Sequence, residues 1–425
     1  MIKKTLKKIQ NKKNYYYVII GLLFSASFAF ANNLILAKIL NPENYGLFFS
    51  VLAIAMLFGN LSVSGIPLYL QNVISKKNTS KTELNEGDII LLLIFFFTIL
   101  FFLSYFIWIF MGPNDLSSHI IFLILSILII FQPFIEISKS ILQINLKFKK
   151  LSYLNTIINF NRFFLLIILI FFFKKNINLN VISIIFILGS LSGFIYSITI
   201  FKSFFKFSFI SFLTKNIYYK AIKTLFDLRF YFITNVFYFI FVSIDIIIIK
   251  YFLSDFDAGI FFAAFSILLG LQLLSEATVR TYSFQYFKKS LKSKYEFKIF
   301  YEKNIRFLMY LTLPISLGIF LFSEQIILTL YSSDYYKSSQ ILKILIFIIP
   351  IKLIVTNLSL VATTFKKSVY NTLSLVLVTL IKIPLLLTFI YYFNLLGVVF
   401  CLIFIEILYY LILKYFVEYR VYHEK

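Results

Sequence analysis

The sequence predicts an all-α polytopic membrane protein with about twelve transmembrane helices in two pseudo-symmetric six-helix lobes, both termini on the cytoplasmic side. Three observations carry this reading. The 425-residue chain is 60% hydrophobic and only 14% charged, which leaves too few polar side chains to cover a water-soluble surface. Apolar runs of about twenty residues, the length that crosses hydrocarbon as a self-satisfied helix, recur along it. Two short segments also repeat at offsets of 213 and 217 residues.

The runs fall at about 16–36, 46–71, 89–110, 120–138, 154–173, 181–201, 230–249, 259–278, 307–328, 344–364, 369–392 and 397–415. The first follows Lys3, Lys4, Lys7 and Lys8 and carries Ala29 and Ala31 near its end, a layout like a signal peptide. Its apolar run is longer than a signal core and no soluble domain follows, so it is expected to be an uncleaved span. Orientation comes from the basic residues. Of 41, the connections assigned to the cytoplasm hold 32 and the outer ones six, while Arg162, Lys352 and Lys382 lie inside runs. Such asymmetry predicts cytoplasmic termini. The chain then divides into a basic cytoplasmic segment 1–14, an N-terminal lobe 15–205, a basic cytoplasmic linker 206–229, a C-terminal lobe 230–417 and a tail 418–425.

This placement also explains the net charge of +23. The basic clusters sit at the membrane face, where they set topology and meet anionic headgroups, so nucleic acid is not expected as a partner. With one Cys and two His, the usual ligands for a zinc, haem or iron–sulfur site are missing, and no cofactor is expected. Neither G-x-x-x-x-G-K-[ST] nor G-x-G-x-x-G occurs, and the loops are too short for a nucleotide-binding or extracytoplasmic catalytic domain. The single GxxxG, Gly189 and Gly193, predicts close helix packing.

The repeat places Asn41-Pro42-Glu43-Asn44-Tyr45-Gly46-Leu47-Phe48-Phe49 over Ser254-Asp255-Phe256-Asp257-Ala258-Gly259-Ile260-Phe261-Phe262, and Phe148-Lys149-Lys150-Leu151-Ser152-Tyr153 over Phe365-Lys366-Lys367-Ser368-Val369-Tyr370. An even number of runs separates the copies, so the halves would insert in the same sense, related by an axis along the membrane normal and facing each other across a central cavity.

Charge inside a bilayer costs about 2.5–3.5 kcal/mol on insertion scales, so each intramembrane ion needs a partner, a wet cavity or a task. Arg162, Lys352, Lys382 and Arg280 are the candidate cations for an anionic substrate such as a diphosphate, which Arg and Lys hold by charge and donor geometry. Adding 217 to Arg162 reaches position 379, one turn from Lys382. Asn60, Asn155, Asn159, Asn235, Gln272 and Asn371 form polar stripes at helical spacing and are expected to line the cavity. Asp245, Glu136 and Glu276 are candidates for coupling a proton or sodium ion. Plainer readings stand beside these: Glu276 with Arg280 and Glu136 with Lys139 as same-helix ion pairs, Glu406 as a packing contact, Lys250 and Lys343 snorkelling outward.

The stretch Leu36-Ala37-Lys38-Ile39-Leu40-Asn41-Pro42-Glu43-Asn44-Tyr45-Gly46-Leu47-Phe48, the Ser243-Ile244-Asp245 end of the seventh run with Ala258-Gly259-Ile260-Phe261, and Ser333-Asp334-Tyr335-Tyr336-Lys337-Ser338 together resemble the Wzx-type O-antigen flippases of the multidrug/oligosaccharidyl-lipid/polysaccharide (MOP) exporter superfamily. The resemblance implies a MATE-like fold of two parallel six-helix lobes. It also implies movement of undecaprenyl-diphosphate-linked oligosaccharide across the bacterial inner membrane, beside polysaccharide polymerase and glycosyltransferases. The family's theme of cavity cations maps by type onto Arg162, Lys352 and Lys382. Drug exporters of the superfamily commonly carry an acid in the first span, where this chain has Asn32 and Asn33. An ion-coupled drug or small-molecule antiporter is the alternative on the same fold, and a membrane polymerase or glycosyltransferase is disfavoured by the short outer loops.

Overall fold

The computed structural model describes residues 2–63, 65–67, 69–70, 85–111, 116–172, 178–205, 215–290, 294–364 and 368–417; of these, the side chains of 2–19, 85–89, 92–93, 95–97, 111, 215–218, 220–221, 273–290, 294–301, 360, 363–364 and 368 lie outside the description. Every described element is helical: α1 (Ile2–Ile39), α2 (Pro42–Val63), α3 (Asn85–Met111), α4 (Leu116–Ser126), α5 (Leu128–Ile144), α6 (Phe148–Phe172), α7 (Leu179–Phe204), α8 (Lys215–Phe252), α9 (Asp255–Ser290), α10 (Lys294–Leu330), a 3₁₀ turn Ser333–Tyr335, α11 (Tyr336–Leu345), α12 (Ile348–Thr364) and α13 (Ser368–Val417). Among the described residues nine helices are long and apolar enough to cross a membrane. The bent pair Ser333–Leu345 and Ile348–Ser359, inclined by 49°, makes ten if it is one crossing.

The second, fourth and tenth expected runs are interrupted in the structure, the fourth by a turn at Ile127 and the tenth by one at Ile346 and Phe347. The second was expected to reach position 71, yet α2 ends at Val63 and the chain turns at Gly65, whose φ of +71° an L-residue rarely adopts. A Cβ there would also overlap the backbone of Tyr231. The last two runs form the two arms of α13, divided where the backbone leaves the helical region at Asn394 (φ 50°, ψ −135°), within the gap expected between them. Its arms fold back on each other: Tyr409 donates to Asn371 Oδ1 at 3.3 Å, and the Tyr370 and Phe416 rings stack at 5.4 Å.

Both copies of the repeat begin a helix by the same device. Asn41 Oδ1 accepts the Asn44 amide at 2.9 Å ahead of Pro42, and Ser254 Oγ accepts the Asp257 amide at 3.0 Å while donating to its carboxylate at 2.7 Å. These are N-caps with acid in the first turn, matched to the exposed amides and positive dipole of a helix start.

The chain forms two compact units, 1–32 with 50–243 and 33–49 with 244–425. In the first, Gly193 admits Ile158 and Gly189 admits the side chain of Arg162, so the GxxxG brings α6 against α7 as expected. A core of Ile137, Ile141, Leu154, Ile200 and Phe201 lies among its helices. Its exposed side chains include Phe102, Phe110 and Phe171, an apolar exterior suited to lipid.

In the second unit the two repeat copies meet. A Cβ on Gly46 would overlap the carbonyl of Asp255, and one on Gly259 the carbonyl of Pro42. Around this crossing Phe49 stacks on Phe262 at 3.9 Å, Tyr45 meets Tyr335 edge-on at 5.7 Å, and Tyr335 donates to the Leu40 carbonyl at 3.2 Å.

Candidate functional site

Most of the polar stripes turn out to join helices rather than line open space. Along α6, Asn159 Nδ2 donates to the Ser25 carbonyl and hydroxyl at 3.2 and 3.1 Å, Asn32 donates to the Asn159 carbonyl at 3.1 Å, and Ser25 donates to the Asn155 carbonyl at 2.8 Å. This seam ties α6 to α1. Asn60 is a second node: its Oδ1 accepts from Gln132 at 3.1 Å and its carbonyl from Asn235 at 2.9 Å, joining α2, α5 and α8. Asn371 closes the α13 hairpin. Asn60, Asn159, Asn235 and Asn371, expected to line a cavity, thus each make hydrogen bonds between helical segments. Spacing put each on a face that avoids lipid, but only tertiary packing shows that a neighbouring helix satisfies it.

The ionic candidates separate into three cases. Glu136 pairs with Lys139 one turn on, at 2.7 Å with both side chains about a third exposed, which makes an ordinary same-helix ion pair of the proposed coupling acid. The side chains of Glu276 and Arg280 lie outside the described residues. The remaining ions are buried or half-buried, and each unit holds its own.

Arg162 belongs to the first unit. Its side chain crosses α7 over Gly189, donates from Nη2 to Ser190 Oγ at 2.6 Å and from Nε to the Phe186 carbonyl at 3.3 Å, and sets its guanidinium 4.5 Å from the centre of the Phe186 ring. Guanidinium carries five N–H donors. These contacts engage two, and among the described residues no carboxylate lies at ion-pair distance. The site is thus a rigidly aimed cation with donors to spare, held by neutral acceptors and an aromatic face.

The second unit holds four ions on separate helical segments, Asp245, Lys382 and Glu406 buried and Lys352 half-buried. Lys382, 1% exposed, meets Asp245 Oδ2 at 2.8 Å, and Lys352, 20% exposed, stands 3.8 Å from Glu406 Oε1. Two carboxylates against two ammoniums leave no net charge, as burial in low dielectric demands. Lys382 is consequently not a free cavity cation, nor is Asp245 an acid without a partner: each satisfies the other from across the bundle, which inspection of either helix alone cannot show. Glu406, expected as a packing contact, is the acid beside Lys352. Lys250 likewise pairs with Asp255 rather than snorkelling outward. Beside the quartet, Leu268, Gln272, Ile349, Lys352, Leu353 and Thr356 border a narrow crevice.

Residues 12–289 match the sequence profile of the family described as polysaccharide biosynthesis protein. No curated protein sequence matches the chain. Solved structures share its fold: lipid II flippase MurJ in an inward closed conformation, with a TM-score of 0.75 at 21% identity over 94% of this chain and 87% of that one; an inward-facing multidrug resistance MATE transporter of the MOP superfamily, 0.68 at 13% over 94% and 96%; and a MOP superfamily transporter from Pyrococcus furiosus with a binding pocket of reverse polarity, 0.59 at 13% over 96% of each. With the profile spanning well over half of its length, the chain belongs to the polysaccharide biosynthesis protein family.

Proposed function

We propose that the chain is a flippase that moves undecaprenyl-diphosphate-linked oligosaccharide, an O-antigen or other surface-polysaccharide repeat unit, from the inner to the outer leaflet of the bacterial inner membrane by alternating access. The observation that carries this reading is Arg162: a guanidinium on a membrane helix, without a carboxylate partner among the described residues, whose unused donors suit the oxygens of a diphosphate. Family membership supports it, and so does the shared fold. Twelve crossings with both termini cytoplasmic fit a division of α13 at Asn394 and the placement of basic residues. No bond is made or broken. Export of negative charge from a negative cytoplasm gains about 2.3 kcal/mol per charge per 100 mV, so the membrane potential can drive the step. Partners would be the lipid-linked substrate, membrane lipids and the enzymes that build and polymerise it.

A drug antiporter on the same fold fits less well, because Asp245 and Glu406 each face a lysine and offer no cationic drug an unpaired carboxylate. Cells lacking the gene should accumulate unpolymerised lipid-linked sugar on the inner leaflet. The wild-type gene should clear it and Arg162→Ala should not; full complementation by Arg162→Ala would remove the basis of the assignment.

A further inference from the structure

One span in each unit is broken at a corresponding place. In the first unit α4 and α5 meet at Ile127 (φ −56°, ψ −27°), and in the second α11 passes into the break at Ile346 (φ −60°, ψ −28°) before α12 begins. Both dihedral pairs are those of a 3₁₀ turn. The bonding agrees: the Ile130 amide donates to the Ile127 carbonyl at 3.1 Å and the Ile349 amide to the Ile346 carbonyl at 3.2 Å, each reaching back three residues where an α-helix reaches four. Pro133 and Pro350 follow the breaks, separated by 217 residues, the offset of the second repeat match.

A proline inside a helix leaves the carbonyl four residues back without its amide. Those carbonyls belong to Ile129 and Ile346. In both units a buried serine from a neighbouring helix meets the orphan: Ser62 Oγ on α2 lies 3.2 Å from the Ile129 carbonyl and 2.7 Å from that of Gly59, sharing its proton between them, and Ser316 Oγ on α10 donates to the Ile346 carbonyl at 3.4 Å. Proline alone does not make such a break, since Pro314 and Pro384 each lie in a helix that runs on past them.

The two arms at each break are anchored to different neighbours. On the α11 side Tyr335 donates to the Leu40 carbonyl and Ser338 to that of Ile260 at 2.8 Å, which ties this arm to the crossing of the repeat copies, whereas α12 carries Lys352 toward Glu406. In the first unit α4 is held through Phe122, stacked on Trp108 at 5.0 Å, and α5 through Gln132 on Asn60. Straightening an ordinary kinked helix regains an amide bond; at these prolines it regains none, so nothing in the backbone ladder favours the straight form.

We propose that the two breaks are matched hinges, at which the arms of each span tilt against one another, and that Ser62 and Ser316 are the catches that hold the bent form. Each hinge is a property of its own unit and does not depend on what the chain carries.

Spin labels test this in purified full-length protein in nanodiscs, with separations read by double electron–electron resonance. Lys337→Cys with Ser359→Cys reports the second hinge and Leu116→Cys with Lys147→Cys the first, the native Cys401 being buried. At about 1.5 Å per residue, undoing the 49° bend lengthens the first of these separations by about 3 Å. Wild type should show both a bent and a longer population. Pro350→Ala, which restores the missing amide, should collapse them onto the longer value, Pro350→Gly should keep both, and Ser316→Ala should move population toward the longer one. Pro133→Ala and Ser62→Ala should act likewise on the other pair, while Pro314→Ala and Pro384→Ala leave both pairs unchanged. A single narrow separation in wild type that Ser316→Ala does not move would make the bend a fixed shape and overturn the proposal. So would a response in one unit only, or equal responses to the control prolines. If a proline variant does not fold, the serine variants decide alone.

Discussion

At the scale of single residues, the buried ions have opposite sensitivities. Lys382 and Asp245 exist as a unit, and removing one partner strands the other charge in an apolar interior, a loss of about 3–5 kcal/mol, whereas replacing both with neutral residues of similar size is often close to neutral. Lys382→Met or Asp245→Asn alone should therefore lower the unfolding temperature in detergent markedly, and the double variant should recover most of it. Equal loss in single and double variants would show that the pair contributes through packing and not through charge. Arg162 should behave otherwise. Lys has no planar fork to span Ser190 and the Phe186 carbonyl, so Arg162→Lys should fold but transport at least about tenfold more slowly, the equivalent of one lost charge-assisted bond of roughly 1.5–3 kcal/mol. Every one of these ions was visible in the sequence as a charge interrupting an apolar run. Pairing was not, because Asp245 and Lys382 are 137 positions apart and meet only through packing.

At the scale of helices, glycine decides how closely segments approach. Gly46 and Gly259 each occupy a place where a Cβ would strike the opposite backbone, whereas a Cβ on Gly318 would meet nothing within 4 Å. Gly46→Ala and Gly259→Ala should each lower thermal stability, and Gly318→Ala should leave it unchanged or raise it, since Ala is the better helix former by about 1 kcal/mol. Asn394 offers the converse case. Its positive φ suits glycine, so Asn394→Gly should maintain or raise stability as judged by the same melting measurement. Much of this layout could be read from residue order: the hairpin break falls in the gap expected between 392 and 397, and the helix starts at Asn41 and Ser254 carry their caps in plain view. The turn at Gly65 was missed because the apolar run continues past it. So was the interruption at Ile127, which has neither Gly nor Pro to announce it.

At the scale of the whole molecule, the internal repeat has a physical meaning beyond ancestry. Its two copies start helices with equivalent caps and pack glycine to glycine within one compact unit, so a match of a few residues across an offset of 213 locates a real contact. The transporter fold was legible because lipid imposes length, apolarity and charge placement on every span. The substrate was not, since recognition rests on a handful of side chains whose partners the linear order conceals. Several of the Asn and Ser side chains in these stripes join helices through hydrogen bonds, and Arg162 keeps donors that no described carboxylate meets. The most direct measurement is translocation of labelled undecaprenyl-diphosphate-linked oligosaccharide in proteoliposomes holding the purified chain under an imposed membrane potential. Movement well above protein-free vesicles, lost in Arg162→Ala, is the predicted result; wild-type protein that moves no more label than empty vesicles would contradict the account.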